Sequence, residues 1–256
     1  MRRVALALAL VCALGVVGEA MAPLGLQFTN GVTMHASARP SATLNNMPAV
    51  TIMMWVKLTT VAPAAQRNFM GKSTAANRLV TFINSTTVSI QRGSSGTAPT
   101  GTATTTNLPA LRANVPAFLV FTGDFGVTAP RLYAGSLTEP ATEALAYSAS
   151  TVGSTAGHDD SAANFVVGNG GTPGTTNTLP GVVYSVQVSS QVLSLSEIRA
   201  AQYRWNPRAR GTVMAWRLGR NGSGLVSDES GFGNYGTVTA AIPVGESLPL
   251  MTWRRP

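Results

Sequence analysis

The chain has 256 residues, a net charge of +8 and a single cysteine, Cys12. Cys12 lies in the N-terminal apolar run, so a chain without that segment has no thiol, which excludes disulfides, thiolate metal sites and cysteine nucleophiles. Length allows one large domain or two small ones, and all-β folds of this size are commonly one, with roughly 70% of the unfolded surface buried.

The opening stretch "MRRVALALALVCALGVVGEAMA" has two arginines, an apolar run and a small-x-small ending at Ala20 and Ala22. Residues 1–22 have the layout of a secretory signal peptide and are short for a membrane span. An overlong start, with Met21 as initiator, and an uncleaved apolar helix are the other readings. Without this segment the chain is expected to have no membrane span.

From Leu26 the text reads as strands. In "VTIMMWVKL", Ile52, Met54 and Val56 alternate with Thr51, Met53 and Trp55, so both faces are apolar, as in a strand covered on two sides. "RLVTFIN", "TVSIQ", "AFLVFTG" and "RLYAG" continue the series, and "GSSGTAPTGTATTTNLPA" reads as a mobile loop. "ANFVVGNGG" and "VVYSVQVSS" follow. In "SLSEIRAAQYR", Ser194 and Glu197 have capping-box spacing, predicting one short helix that ends before Pro207. "TVMAWRL" and "GTVTAAIPV" are the last two predicted strands. The expectation is all-β: a two-sheet antiparallel β-sandwich or jelly roll over residues 23–245, one short helix, and an apolar-basic tail over 246–256.

Four passages, "LQFTNG", "VTIMMWVKL", "LVFTGDFGVTAPRLYAGSL" and "GVVYSVQVSSQVLSLSEI", resemble in order the strands of a concanavalin A-like lectin/glucanase jelly roll of laminin-G-like type. "MAWRLGRNGSGLVSDESGFGNYGT" also resembles a passage of that family, although in many relatives it precedes the opening strand. A sandwich with neighbouring termini accepts such a rearrangement, so the strand set is expected to be complete. Where relatives often carry an acidic pair, this chain has Thr33 and Met34, which argues against calcium on that loop.

The glucanase branch needs two nearby carboxylates, and its Glu-x-Asp-x-x-Glu strand motif is absent here. Asp159 and Asp160 are adjacent and read as solvated turn residues. His35 and His158 are in neither nucleophile-elbow nor zinc spacing, and "GKS" at Gly71 lacks a phosphate-loop context. A non-enzyme is therefore expected. "GHDDSAAN" and "SDESGFGN" offer oxygens for calcium, with Asp228 the candidate metal ligand, but such text more often builds turns. In the second passage Gly231, Gly233 and Gly236 are expected to take positive φ around a turn capped by Asp228 and Ser230.

Arg199, Arg204, Arg208, Arg210, Arg217 and Arg220 crowd one region, as a solvated face or as a site for an anionic partner. Trp55 and Trp216 are expected in the core. Trp205, beside Arg204 and Arg208, is either a packing anchor or an exposed platform. With His158, Asp159 and Asp160 these are the candidate ligand-binding residues. No nucleic-acid motif accompanies the arginines, so nucleic acid is not an expected partner.

The resemblance, the leader-like start and the missing acid pair imply a non-catalytic glycan- or surface-binding protein, secreted or displayed on a surface, whose partner is a glycan or cell-surface polymer. The alternative is a structural or assembly protein, such as a bacteriophage-like virion decoration or fibre component or an extracellular filament subunit. Its motives are a stand-alone jelly roll, long Thr/Ser/Gly loops and the tail "SLPLMTWRRP", which suits neighbouring subunits as partners.

Overall fold

The structure, a computed structural model, describes residues 25–73, 78–93, 100–153, 159–219 and 224–245. The leader-like segment 1–22, the tail 246–256, His158 and Arg220 lie outside the described residues. In chain order the strands are β1 (Gly25–Phe28), β2 (His35–Ala38), β3 (Ala49–Leu58), β4 (Arg67–Ser73), β5 (Arg78–Asn84), β6 (Thr87–Arg92), β7 (Thr100–Thr104), β8 (Pro116–Asp124) and β9 (Arg131–Ser136). They continue with β10 (Thr142–Glu143), β11 (Ala149–Thr151), β12 (Phe165–Val167), β13 (Gly181–Ser189), then the helix α1 (Leu195–Tyr203), β14 (Thr212–Arg217), β15 (Leu225–Val226), β16 (Gly236–Thr239) and β17 (Ile242–Val244).

All pairings are antiparallel, in two sheets. The eight-stranded sheet runs β10-β9-β8-β3-β13-β1-β17, with β14 also on β13, and the nine-stranded sheet runs β11-β7-β6-β5-β4-β12-β2-β16-β15. Alternate residues of facing strands fill the space between the sheets, among them Ile52, Met54, Phe69, Phe121, Phe165 and Trp216. Burying each such side chain contributes roughly 1.5–3 kcal/mol. The core ring pairs include Phe165 and Trp216, edge to face at 6.4 Å.

The two apolar faces of β3 have separate destinations. Met53 and Trp55 point away from the main core and join Phe118, Tyr184, Leu193 and Ile198 in a second cluster under α1. Helix α1 starts where the sequence places it: the Ser194 hydroxyl accepts from the Glu197 amide at 3.4 Å, and Glu197 accepts from the Ser194 amide at 2.8 Å. Buried Gln202 ties the helix to the β9–β10 connection, donating to the Ser136 and Glu139 carbonyls at 2.7 and 2.8 Å.

β1 and β14 share one edge of β13: β1 pairs with Gly181 to Val183 and β14 with Ser185 to Ser189. They abut so closely that a Cβ on Gly219 would lie 2.6 Å from the Gly25 carbonyl oxygen. β1 also pairs with β17, so the first and last described strands are neighbours, as the displaced Trp-x-Leu passage requires.

Three elements differ from the sequence expectation. "GTVTAAIPV" is two strands in different sheets, because the chain reverses at Ala240 (φ 59°) and β16 joins β2 while β17 joins β1. The second half of the Thr/Gly stretch is β7, whose Thr102 hydroxyl meets Ser89 at 2.8 Å while Ala103 faces the core. The segment "RNFMGKS" is β4; its charged residues Arg67 and Lys72, which break the apolar pattern, are both buried.

Candidate functional site

One end of the nine-stranded sheet collects the end of β2 and the starts of β12 and β16, since Ala38 pairs with both Phe165 and Gly236. The β15–β16 connection there is the glycine-rich passage. Asp228 organises it: Oδ1 accepts from the amides of Ala215 (2.9 Å) and Ser230 (3.0 Å), and Oδ2 from the Ser230 hydroxyl and the Asn234 amide, both at 2.8 Å. Gly231 and Gly233 take positive φ, 92° and 76°. Gly236 does not, contrary to expectation; it lies in β16 because a Cβ there would come within 2.8 Å of the Trp216 ring. The Trp216 indole donates to the Asn234 carbonyl at 2.8 Å, so a core tryptophan supports the loop from beneath.

Above this support is a concavity of about 480 Å³. It is lined by Ser37, Arg39 and Ser41 from β2 and the segment after it, by Asn164, and by Leu225, Tyr235 and Thr237; Ser37 and Thr237 are cross-strand partners whose hydroxyls lie 3.5 Å apart. Tyr235 is 65% exposed and Leu225 64%. Arg39 and Asn164 are exposed, with no side-chain hydrogen bond or ion pair among the described residues. Among the described residues Arg39 is the one charged lining residue, and no carboxylate is in the lining. Volume, an aromatic lining residue and a few polar groups match the usual makeup of a small-ligand site.

The acidic pair has a different role from the one its sequence implies. Asp159 is exposed and accepts from the Asn46 side-chain amide at 3.2 Å. Asp160 is buried rather than solvated: its carboxylate lies 3.0 Å from the Lys72 ammonium, itself fully buried, and accepts from the Asn46 amide at 2.8 Å. The Asp160 amide donates back to Asn46 at 2.9 Å, and Lys72 also donates to Asn45 at 3.0 Å. Burial pulls the Lys72 pKa down, and the Asp160 hydrogen bond and charge oppose it. Asp160 thus clasps the segment between β2 and β3, which begins with the groove residue Arg39. It is a structural staple rather than a free ligand contact.

Asp228 is likewise not supported as a metal ligand, because both its oxygens already accept two hydrogen bonds each. Among the described residues no group of three or more His, Cys, Asp or Glu side chains is placed to hold a metal.

Trp205 is half-buried, and its indole donates to Glu229 at 2.9 Å. The Arg217 guanidinium lies 5.7 Å from the Trp205 ring centre and binds the same carboxylate at 2.7 and 2.6 Å. Trp205 is therefore a packing and ion-pair anchor, the first of the two readings of its sequence. Arg204 lines a smaller hollow of about 300 Å³ with Met53, Leu193 and Asn206, where Arg210 pairs with Glu197 at 3.3 Å. Arg208 is exposed beside it. Asp159 and Asp160 are tied to the segment before β3, whereas Trp205 is tied to Glu229, so the described residues do not unite the predicted set into one site. The groove residues Arg39, Asn164 and Tyr235 were not among the candidates; the available signal was a tyrosine held between Asn234 and Gly236 in a turn.

No protein-family model matches the chain, and no curated protein matches it. Among solved structures it is similar to a candidate carbohydrate-binding protein from Bacteroides ovatus, at 14% identity and a TM-score of 0.61, over 85% of this chain and 58% of that one. It is also similar to the heptameric SAP-like pentraxin of Limulus polyphemus, at 12% identity and a TM-score of 0.47, over 88% of this chain and 97% of that one. A third is domains LG4-5 of mouse laminin α1, at 15% identity and a TM-score of 0.42, over 68% and 43%. At these identities likeness speaks to the fold alone, and it agrees with the sheet order in making this chain a two-sheet antiparallel jelly roll.

Proposed function

We propose that the chain is a non-catalytic binding protein that holds a glycan or surface polymer in the groove over the paired strands β2 and β16. The observation that carries this is exposed Tyr235, set beside Asn164, Ser37 and Thr237 on a loop fixed by Asp228 and Trp216. An aromatic face packs against the C–H face of a pyranose while hydroxyls and amides meet its O–H groups. Because the loop is already hydrogen-bonded, little ordering cost remains to be met on binding. Non-catalysis is supported by the chemistry of the nearest acids: Asp160 is committed to Lys72, and Asp228 to four donors. The fold hosts many roles, so the reading rests on the groove and not on the carbohydrate-binding description of the Bacteroides neighbour.

A glycan array probed with the wild type and with Tyr235→Ala tests it. Signals that the variant lacks support the reading; a silent array, with no retention on cell envelopes, ends it. Export is proposed from residues 1–22, and the N-terminal sequence of the mature protein decides it.

The assembly reading has its own observation. Phe232 is 56% exposed on the same loop as Tyr235, an apolar side chain suited to a neighbouring subunit. Sedimentation showing only monomers at high concentration would remove it.

A further inference from the structure

We infer that the groove selects glycans carrying a carboxylate, with Arg39 as the residue that reads it. This rests on the glycan-binding reading and adds the chemical class of the ligand.

Among the described residues Arg39 is the one charged side chain lining the groove. It is exposed, and no hydrogen bond or ion pair holds it among the described residues. A guanidinium offers N–H donors in a planar fork and no acceptor, so a carboxylate meets it with two parallel hydrogen bonds, whereas a neutral hydroxyl meets one. Among the described lining residues none is acidic. Of the acids that organise the neighbouring loops, Asp160 is paired with Lys72 at 3.0 Å and Asp228 is buried and tied to amide and hydroxyl donors. Arg39 is therefore the charged group that the described groove surface itself offers to a ligand.

Position is as important as charge. Arg39 precedes Pro40, which restricts its backbone to extended conformations. A few residues on, Asn46 is clasped by Asp160 through two hydrogen bonds, at 2.8 and 2.9 Å. Arg39 and Tyr235 line the same groove. A sugar ring packed on Tyr235 can direct a ring carboxylate to Arg39 while Asn164 and Thr237 meet hydroxyls.

The experiment is an array carrying uronate-bearing, sialate-bearing, sulfated and neutral oligosaccharides, probed with wild type, Arg39→Gln, Arg39→Lys and Tyr235→Ala. The expected result is a wild-type preference of at least tenfold for carboxylate-bearing over neutral glycans, weakened by high salt. Arg39→Gln should abolish that preference but keep neutral binding, and Arg39→Lys should restore it only in part. Circular dichroism checks that the exposed substitutions leave the fold intact. Equal binding of neutral and acidic glycans, lost in Tyr235→Ala, overturns the carboxylate selection and leaves the glycan reading standing. Stronger binding of sulfated than carboxylated glycans also overturns it. Loss of every signal in the wild type removes both.

Discussion

Replacing Asp228 with alanine tests whether this residue organises the groove loop or holds a metal. The change deletes both carboxylate oxygens and leaves the amides of Ala215, Ser230 and Asn234 without their acceptor, while the Ser230 hydroxyl can still turn to the Val213 carbonyl at 3.2 Å. Each buried donor left unpaired costs about 1–3 kcal/mol. Water entry and loop relaxation recover part of this, so the expected loss is about 3–5 kcal/mol, a large share of the roughly 5–15 kcal/mol that holds a typical domain together. Asp228→Asn keeps the volume but turns an N–H₂ group toward donors, and should lose somewhat less. Urea denaturation followed by tryptophan fluorescence reads both values, and the same curves with calcium or a chelator added to the wild type should coincide. A loss below about 1 kcal/mol for Asp228→Ala would refute the hydrogen-bond account. A calcium-dependent rise in wild-type stability that Asp228→Ala removes would restore the metal reading.

Two further outcomes follow from buried charge. Lys72→Met removes the ammonium that pairs with buried Asp160 and should cost about 3–5 kcal/mol, with part regained when Asp160 is made apolar as well; a single-variant loss under about 1 kcal/mol would contradict the clasp. Burial holds the His35 pKa below its ordinary value of 6.5. As pH falls through 6.5 the unfolded chain therefore takes up the proton first. The His35 contribution to stability is present above that pH and is lost as pH drops to its folded-state value. Melting temperatures between neutral and mildly acidic pH should fall less steeply in His35→Gln than in wild type, and identical slopes would exclude His35 as the cause.

Local signals were legible in the sequence and long-range ones were not. The Ser194–Glu197 box spans one helical turn, so its chemistry is visible in eleven letters. The double-faced pattern of β3 announced a second cover without naming α1 as that cover. Asp160 read as solvated because its neutralising partner, Lys72, lies 88 residues away and is brought to it by tertiary packing alone. The groove is of the same kind: Arg39 and Tyr235 meet only because β2 pairs with β16, a register decided by which faces of Ala36, Ala38 and Gly236 the core accepts. The turn capped by Asp228 and Ser230, with Gly231 and Gly233 at positive φ, is legible in the sequence, but the place of Gly236 in β16 and of Tyr235 in the groove lining is not. That placement depends on the Trp216 ring beneath Gly236, which no local pattern encodes.

The central claim is that Tyr235, and not Trp205, is the binding aromatic. Titrating one array-selected oligosaccharide into wild type, Tyr235→Ala and Trp205→Phe by calorimetry tests it most directly. The account predicts at least a tenfold loss of affinity, ~1.4 kcal/mol, for Tyr235→Ala and wild-type affinity for Trp205→Phe. Unchanged affinity in Tyr235→Ala together with a loss in Trp205→Phe would contradict it and move the site to the arginine-rich face beside α1.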